Sequence, residues 1–179
     1  MSLNTFAQRP AYDGVARLLH WLVALLVAAQ FVIGWTMPDV HRDTLPNGLI
    51  AWHLGVGAAI VAAVACRIAW RATHVPQAAE LSRALSVISR TTHALLYALL
   101  VAVPLAGWAN ASSRGWAVKL FGTVRYPDLT ASGSPTGHAL GDVHSWLAWV
   151  LLALIVLHVG GALFHRIVLK DNVLQRMLP

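Results

Sequence analysis

The sequence predicts an all-α membrane protein, a bundle of four transmembrane helices with both termini in the cytoplasm. Three observations predict it. Of its residues 58% are apolar and only 11% charged, where soluble domains sit at about 45–50% and about 25%. That imbalance excludes an ordinary soluble enzyme and a disordered tail. The length, 179 residues, accommodates about four apolar runs of roughly 20 residues each, so one transmembrane domain over 1–179 is expected, with no appended soluble domain. Finally, the basic residues gather at the ends of those runs.

The first span is expected at about 15–37, ending before Pro38 and the polar stretch Asp39-Val40-His41-Arg42-Asp43. Its apolar run continues through Gln30 to Met37 with no small-x-small cleavage pattern, so a span rather than a signal peptide is expected. The second is expected at about 50–70. The third, at about 92–109, contains Pro104, where a kink is expected. The fourth is expected at about 143–169. All four are too long for membrane strands, which need only about 9–11 residues. Helices also satisfy their own backbone groups, which lipid cannot do. Between the third and fourth spans, Trp116-Ala117-Val118-Lys119-Leu120-Phe121 mixes apolar and basic residues, and a short interfacial helix is expected there. Cys66 is alone in an apolar run, so no internal disulfide forms and cysteine usage says nothing about compartment.

Orientation follows from the basic residues. Arg9, Arg17, Arg67, Arg71, Arg83, Arg90, Arg166, Lys170 and Arg176 fall on one side, and Arg42, Arg114, Lys119 and Arg125 on the other. The positive-inside rule places both termini and the 72–90 loop in the cytoplasm, and the 38–49 and 110–141 loops outside. The formal charge of +6 would raise nucleic acid as a partner of a soluble protein. Here topology accounts for it, and the expected partner is the lipid bilayer. Trp35, Trp52, Trp108, Trp116 and Trp146 near the outer boundary, with Trp21 and Trp70 near the inner one, read as an aromatic belt.

Nine histidines in so apolar a chain are the feature that points to chemistry, because ionisable groups within spans mark function by default. His41, His74 and His138 fall in loops, where solvation accounts for them. His144 and His158 are 14 residues apart on one span, which at about 100° per residue puts both on nearly one face, with a rise of about 21 Å. His53, early in the inward-running second span, lies at the level of His144. His20, early in the first, lies at the level of His158. The pairing gives two bis-histidine sites, His53 with His144 outside and His20 with His158 inside. His93 also lies near the inner face and competes with His20 for that site; otherwise it suits a propionate, a quinone or an inner-face partner. His165 continues the stripe at the helix end, where a histidine is favourable in any case.

Structural zinc takes four protein ligands, often with cysteine or carboxylate. These levels carry one Cys and no acid. Two imidazoles from different helices suit an octahedral haem iron, whose remaining ligands come from the porphyrin. Two haem groups are therefore expected, six-coordinate and suited to passing electrons. Gly55 and Gly57 after His53, and Gly160 and Gly161 after His158, would let a flat macrocycle approach the backbone or, equally, let helices pack closely. Arg67 and Arg71 at the inner end of the second span snorkel to headgroups or pair with haem propionates. Outside, Arg114, Lys119 and Arg125 form either a solvated loop against anionic lipid or a collector for an anion or an acidic redox partner.

The chain resembles the bacterial cytochrome b561 family nearly end to end. The resemblance rests on Arg17-Leu18-Leu19-His20-Trp21, Trp52-His53-Leu54-Gly55, His93-Ala94-Leu95-Leu96-Tyr97 with Pro104 and Gly107, the histidines of the fourth span, and the tail from Lys170 to Pro179. It implies a bacterial inner-membrane protein with two haem b groups, held by His20, His53, His144 and His158, that exchanges electrons with ubiquinone. The family includes oxidases that take electrons from periplasmic superoxide, which makes superoxide oxidation the first functional reading. A haem-bearing anchor serving a separate periplasmic dehydrogenase is the second. A metal transporter using the histidines as a relay is the third, disfavoured by the absence of carboxylates in the spans.

Overall fold

The computed structural model describes residues 12–74 and 82–178; Arg9 and part of the 72–90 loop lie outside them. Four helices carry the fold: α1 Gly14–Thr36, α2 Gly48–Thr73, α3 Arg83–Ser113 and α4 Pro135–Phe164, the last running into a π-helical turn, His165–Leu169. Each is long and apolar enough to cross a membrane.

Side-chain caps explain three of the four helix starts. Asp13 accepts from the Ala16 amide before α1, Ser82 from Leu85 before α3, and Ser134 from Gly137 before α4, with Pro135 in its first turn. Such side chains satisfy amides that the first turn leaves without partners. The hydrogen bond from Ala16, with others from Trp70, holds the Asp13 carboxyl below its ordinary value although partial desolvation opposes this. Helices α3 and α4 start nine and eight residues before the apolar runs that announce them. α3 runs on through Pro104.

The packing centre joins α1 to α2 through Val23, Val27, Val56, Ile60, Ala63 and Val64, with Leu100 of α3 and Ile155 of α4 against it. Leu25, Val32, Trp146 and Val156 are exposed, as side chains facing lipid must be. Helix α2 is the most enclosed of the four and α4 the least.

Residues 114–134 cap one end of the bundle. Residues 116–121 do not form the expected interfacial helix. A small antiparallel hairpin, β1 Lys119–Leu120 with β2 Val124–Arg125, stands there instead. The run is too short to sustain a helix in isolation, and Phe121 and Gly122 turn the chain with positive φ. The cap is tied down along its length. Tyr126 Oη donates to the Ala58 carbonyl, Trp108 Nε1 to Pro127, Thr130 Oγ1 to Ala109 and the Gly133 amide to Ser113.

The tail docks on α1 at the other end of the bundle. Arg17 Nη1 donates to the Leu178 carbonyl and Trp21 Nε1 to Met177, both at 2.9 Å. Arg176 lies over the Tyr12 ring. His165 Nδ1 and Asp171 Oδ2, 2.6 Å apart, close the turn that starts this tail. Burial by itself would raise the Asp171 carboxyl, but hydrogen bonds from His165 and the Val173 amide outweigh it and hold the carboxyl below its ordinary value. A depressed carboxylate stabilises the docked tail above its unfolded pKa of about 3.9 and loses that contribution as pH falls through the lower folded value. Limited proteolysis of the tail in detergent is thus expected to accelerate below about pH 4. The Asp171→Asn chain should be cleaved at the faster rate at neutral pH too; equal protection of the two chains at neutral pH would count against the latch.

Candidate functional site

The structure brings His53 and His144 together near the capped end, their ring centres 5.9 Å apart and their planes at 83°. At the other end His20 and His158 stand 6.4 Å apart at 72°. In each pair the second ring comes from α4 and the first from α2 or α1. Two imidazoles sharing a metal ion stand about 6 Å apart, from about 2 Å for each metal–nitrogen bond and about 1 Å from each nitrogen to its ring centre. Both pairs match that spacing. His93 of α3 lies closer to His158, at 5.2 Å.

The protonation of His144 follows from its partner. Its Nδ1 is 2.8 Å from the Val103 carbonyl oxygen. A carbonyl can only accept, so Nδ1 carries the proton and Nε2 is left with its lone pair. This is the arrangement that orients and tunes a ligating histidine. Gly107, four residues on from Val103, makes the approach possible. A Cβ there would lie 2.8 Å from His144 Nδ1 and 3.0 Å from Cε1. Gly141, one turn before His144, packs in the same way against Asn110. On the opposite wall, Gln30 Nε2 donates to the His53 carbonyl at 3.0 Å and ties α1 to α2. His53 Nδ1 and Gln30 Oε1 are buried with no hydrogen-bond partner among the described residues.

A cavity of about 520 Å³ opens between these rings, within the size range of cofactor pockets. His53, His144, Gly34, Gly57, Gly107 and Pro104 contribute to its walls. An apolar space bracketed by two imidazoles, each on its own helix and one with its free nitrogen fixed, fits a haem. Among the described residues no three His, Cys, Asp or Glu side chains converge as a metal cluster.

The pair at the tail end of the bundle has a different setting. Arg67 is half-buried: Nε donates to Tyr97 Oη and Nη1 to the Ala16 carbonyl, both at 3.1 Å. Its charge is within electrostatic reach of His20 and His158. Arg71 is exposed. His93 Nδ1 is bonded to the Ser89 carbonyl one turn back, at 2.7 Å. His165 is engaged by Asp171 and His74 stacks on Trp70, so neither joins a site.

The three basic residues of the 114–134 cap differ in kind. Arg125 pairs with Asp128 at 3.1 Å in an exposed position, and Lys119 is exposed. Arg114 is half-buried; it donates to the His41 carbonyl and lines the cavity beside His53 and His144. Reasoning from sequence placed His138 among the solvated loop residues; it is exposed, yet it borders the same cavity. Sequence reasoning also passed over Gln30, although a lone amide amid apolar residues was a usable signal. Gly160 and Gly161 meet nothing within 4 Å, while Gly55 packs against the hairpin backbone. Two glycines face candidate ligands: Gly107 presses on His144, and Gly34 lies at ordinary contact distance from His53.

Known proteins agree with this architecture. The family model described as prokaryotic cytochrome b561 matches residues 11–179. The chain is 28% identical to cytochrome b561 homolog 2 of Escherichia coli over 99% of this chain and 95% of that protein. It is 30% identical to the probable superoxide oxidase CybB of Yersinia pestis over 90% and 92%, and 29% identical to cytochrome b562 of Cereibacter sphaeroides over 96% and 97%. With histidines from separate helices facing each other at two places in a four-helix membrane bundle, and a family match that runs almost from end to end, the chain belongs to the prokaryotic cytochrome b561 family of haem b electron-transfer proteins.

Proposed function

We propose that this protein takes electrons from superoxide at the outer face of the bacterial inner membrane and passes them through two haem b groups to ubiquinone. The observation that carries the proposal is the pair of facing imidazole sites at the two ends of one bundle, His53 with His144 and His20 with His158. Bound haem supplies reversible one-electron chemistry at an iron whose potential depends on its axial ligands and burial. The chain's own residues bind, orient and insulate. His144 presents Nε2 because Val103 holds its Nδ1 proton. His20 is the better partner for His158, since its 6.4 Å spacing accommodates an iron between the rings and the 5.2 Å of His93 is short. His93→Ala is accordingly expected to keep both haems, which a pyridine haemochrome count checks.

Two superoxide anions lose one electron each and become dioxygen, and ubiquinone gains two electrons and two protons. Exposed Lys119 on the outer hairpin favours the approach of an anion, and the likeness to a probable superoxide oxidase supports that substrate. Exposed His93 beside His158 is placed to handle a proton at the inner end. Arg67, within reach of both inner histidines, suits a haem propionate. The test is direct. Purified protein given superoxide and a water-soluble quinone should reduce the quinone faster than spontaneous dismutation allows, and His53→Ala should abolish this. Haems that reduce with dithionite but ignore superoxide would overturn the substrate and favour a carrier subunit for a separate dehydrogenase.

A further inference from the structure

We propose that Arg114 is the counter-charge of a haem carboxylate at the His53–His144 site, an assignment that rests on the haem reading above. Arg114 closes the C-terminus of α3, where its amide bonds to the carbonyls of Asn110 and Ala111. Gly115, at φ +73°, turns the chain away immediately after it. The side chain stands in the wall shared by two spaces, the 520 Å³ cavity between the rings and a second one of about 460 Å³ bounded by Arg42, Asp43 and Trp116.

Its bonding is incomplete. Nη1 donates to the His41 carbonyl at 3.1 Å, and the guanidinium lies 5.4 Å from the centre of the Trp116 ring. Nε is buried without a partner. Asp39 and Asp142 also line the first cavity, and Asp43 the second, but none forms an ion pair with Arg114 among the described residues. A half-buried cation with a free donor and no acid partner is costly unless something anionic completes it. Among the described residues it is the only Arg or Lys lining the cavity. A haem b placed between His53 and His144 brings two carboxylates into that space, and the two aspartates would repel them. A guanidinium is suited to a carboxylate by its planar fork of donors. The other outer cations are otherwise disposed: Arg125 is paired with Asp128, Lys119 is exposed on the hairpin, and Arg42 is exposed and lines only the second space.

The test is a redox titration of the whole purified protein followed in the visible spectrum. A cation beside the haem favours the electron-rich reduced state. In Arg114→Gln the midpoint of the haem that depends on His53 should therefore move to a more negative potential, while the other midpoint stays put. Arg114→Lys should restore part of the shift, and Arg125→Gln should cause none. Loss of the His53-dependent haem alone in Arg114→Gln, rescued in Arg114→Lys, would support the same assignment. Unchanged midpoints in Arg114→Gln together with slower oxidation of superoxide would overturn it and make Arg114 a docking point for an anion from solution. A wild-type chain with no His53-dependent haem would overturn both this assignment and the reading beneath it.

Discussion

Alanine at His53 or at His144 should remove the same haem and leave one haem per chain, whereas alanine at His158 should remove the other. The expectation follows from the two spacings. The ring centres of His53 and His144 are 5.9 Å apart and those of His20 and His158 are 6.4 Å apart, and an iron bridging two imidazoles requires about 6 Å. With either histidine deleted, one imidazole and the cavity walls would be left to hold a haem there. The spectra should divide cleanly, with His53→Ala and His144→Ala alike and His158→Ala distinct. Removal of one spectral component by both His53→Ala and His158→Ala would break the pairing.

A side chain at Gly107 should nearly match the loss of a ligand, although Gly107 itself ligates nothing. In Gly107→Ala the new Cβ would stand 2.8 Å from His144 Nδ1, closer than carbon and nitrogen tolerate. The neighbour is an imidazole already held by the Val103 carbonyl at 2.8 Å, so the ring yields only by giving up that bond. A buried polar group losing its partner costs about 1–3 kcal/mol, and loss of an orienting partner typically lowers metal affinity about 10–100-fold. Haem titration into the apoprotein should show that weakening at the outer site alone, and Gly107→Leu should empty it. Gly160→Ala is the control. Nothing lies within 4 Å of that position and alanine is the better helix former, so both haems should bind as before.

The four helices and the depth of their histidines were legible because lipid imposes one rule on both. Each span must be apolar for about 20 residues, which fixes its register in the membrane and hence the level of every histidine in it. Helix starts were not legible from hydropathy. Residues 83–91 of α3 and 135–142 of α4 are helical but too polar to read as span, because a helix continues wherever its backbone bonds can form. Ser134-Pro135 carried the signal nonetheless, a capping serine followed by proline in the first turn. The 116–121 hairpin was misread because a short apolar-basic mixture suits an interfacial helix and a small β-turn equally well. Contacts across helices were beyond reach. That Gly107 would face His144, or that Arg114 would line the cavity, depends on how α3 is rotated against α4, and periodicity along one helix does not determine that.

Several tryptophans do more than anchor the bundle in the interface. Trp21, Trp70 and Trp108 each spend their indole N–H on the tail, on Asp13 and on the cap respectively. The same pattern runs through the ends of the bundle: loops and tail are pinned by side-chain donors to backbone carbonyls, which leaves the two histidine pairs on rigid helices. Rigid placement would matter if each pair holds a haem, since one displaced ring would leave a single imidazole to bind it.

We propose that one chain houses a haem at each end of its bundle. The most direct measurement is the haem content of the detergent-purified wild-type protein, by pyridine haemochrome against protein concentration, with the reduced-minus-oxidised spectrum recorded on the same sample. Two haem b groups per chain with low-spin, six-coordinate spectra are expected. A single haem per chain, or none, would contradict the proposal.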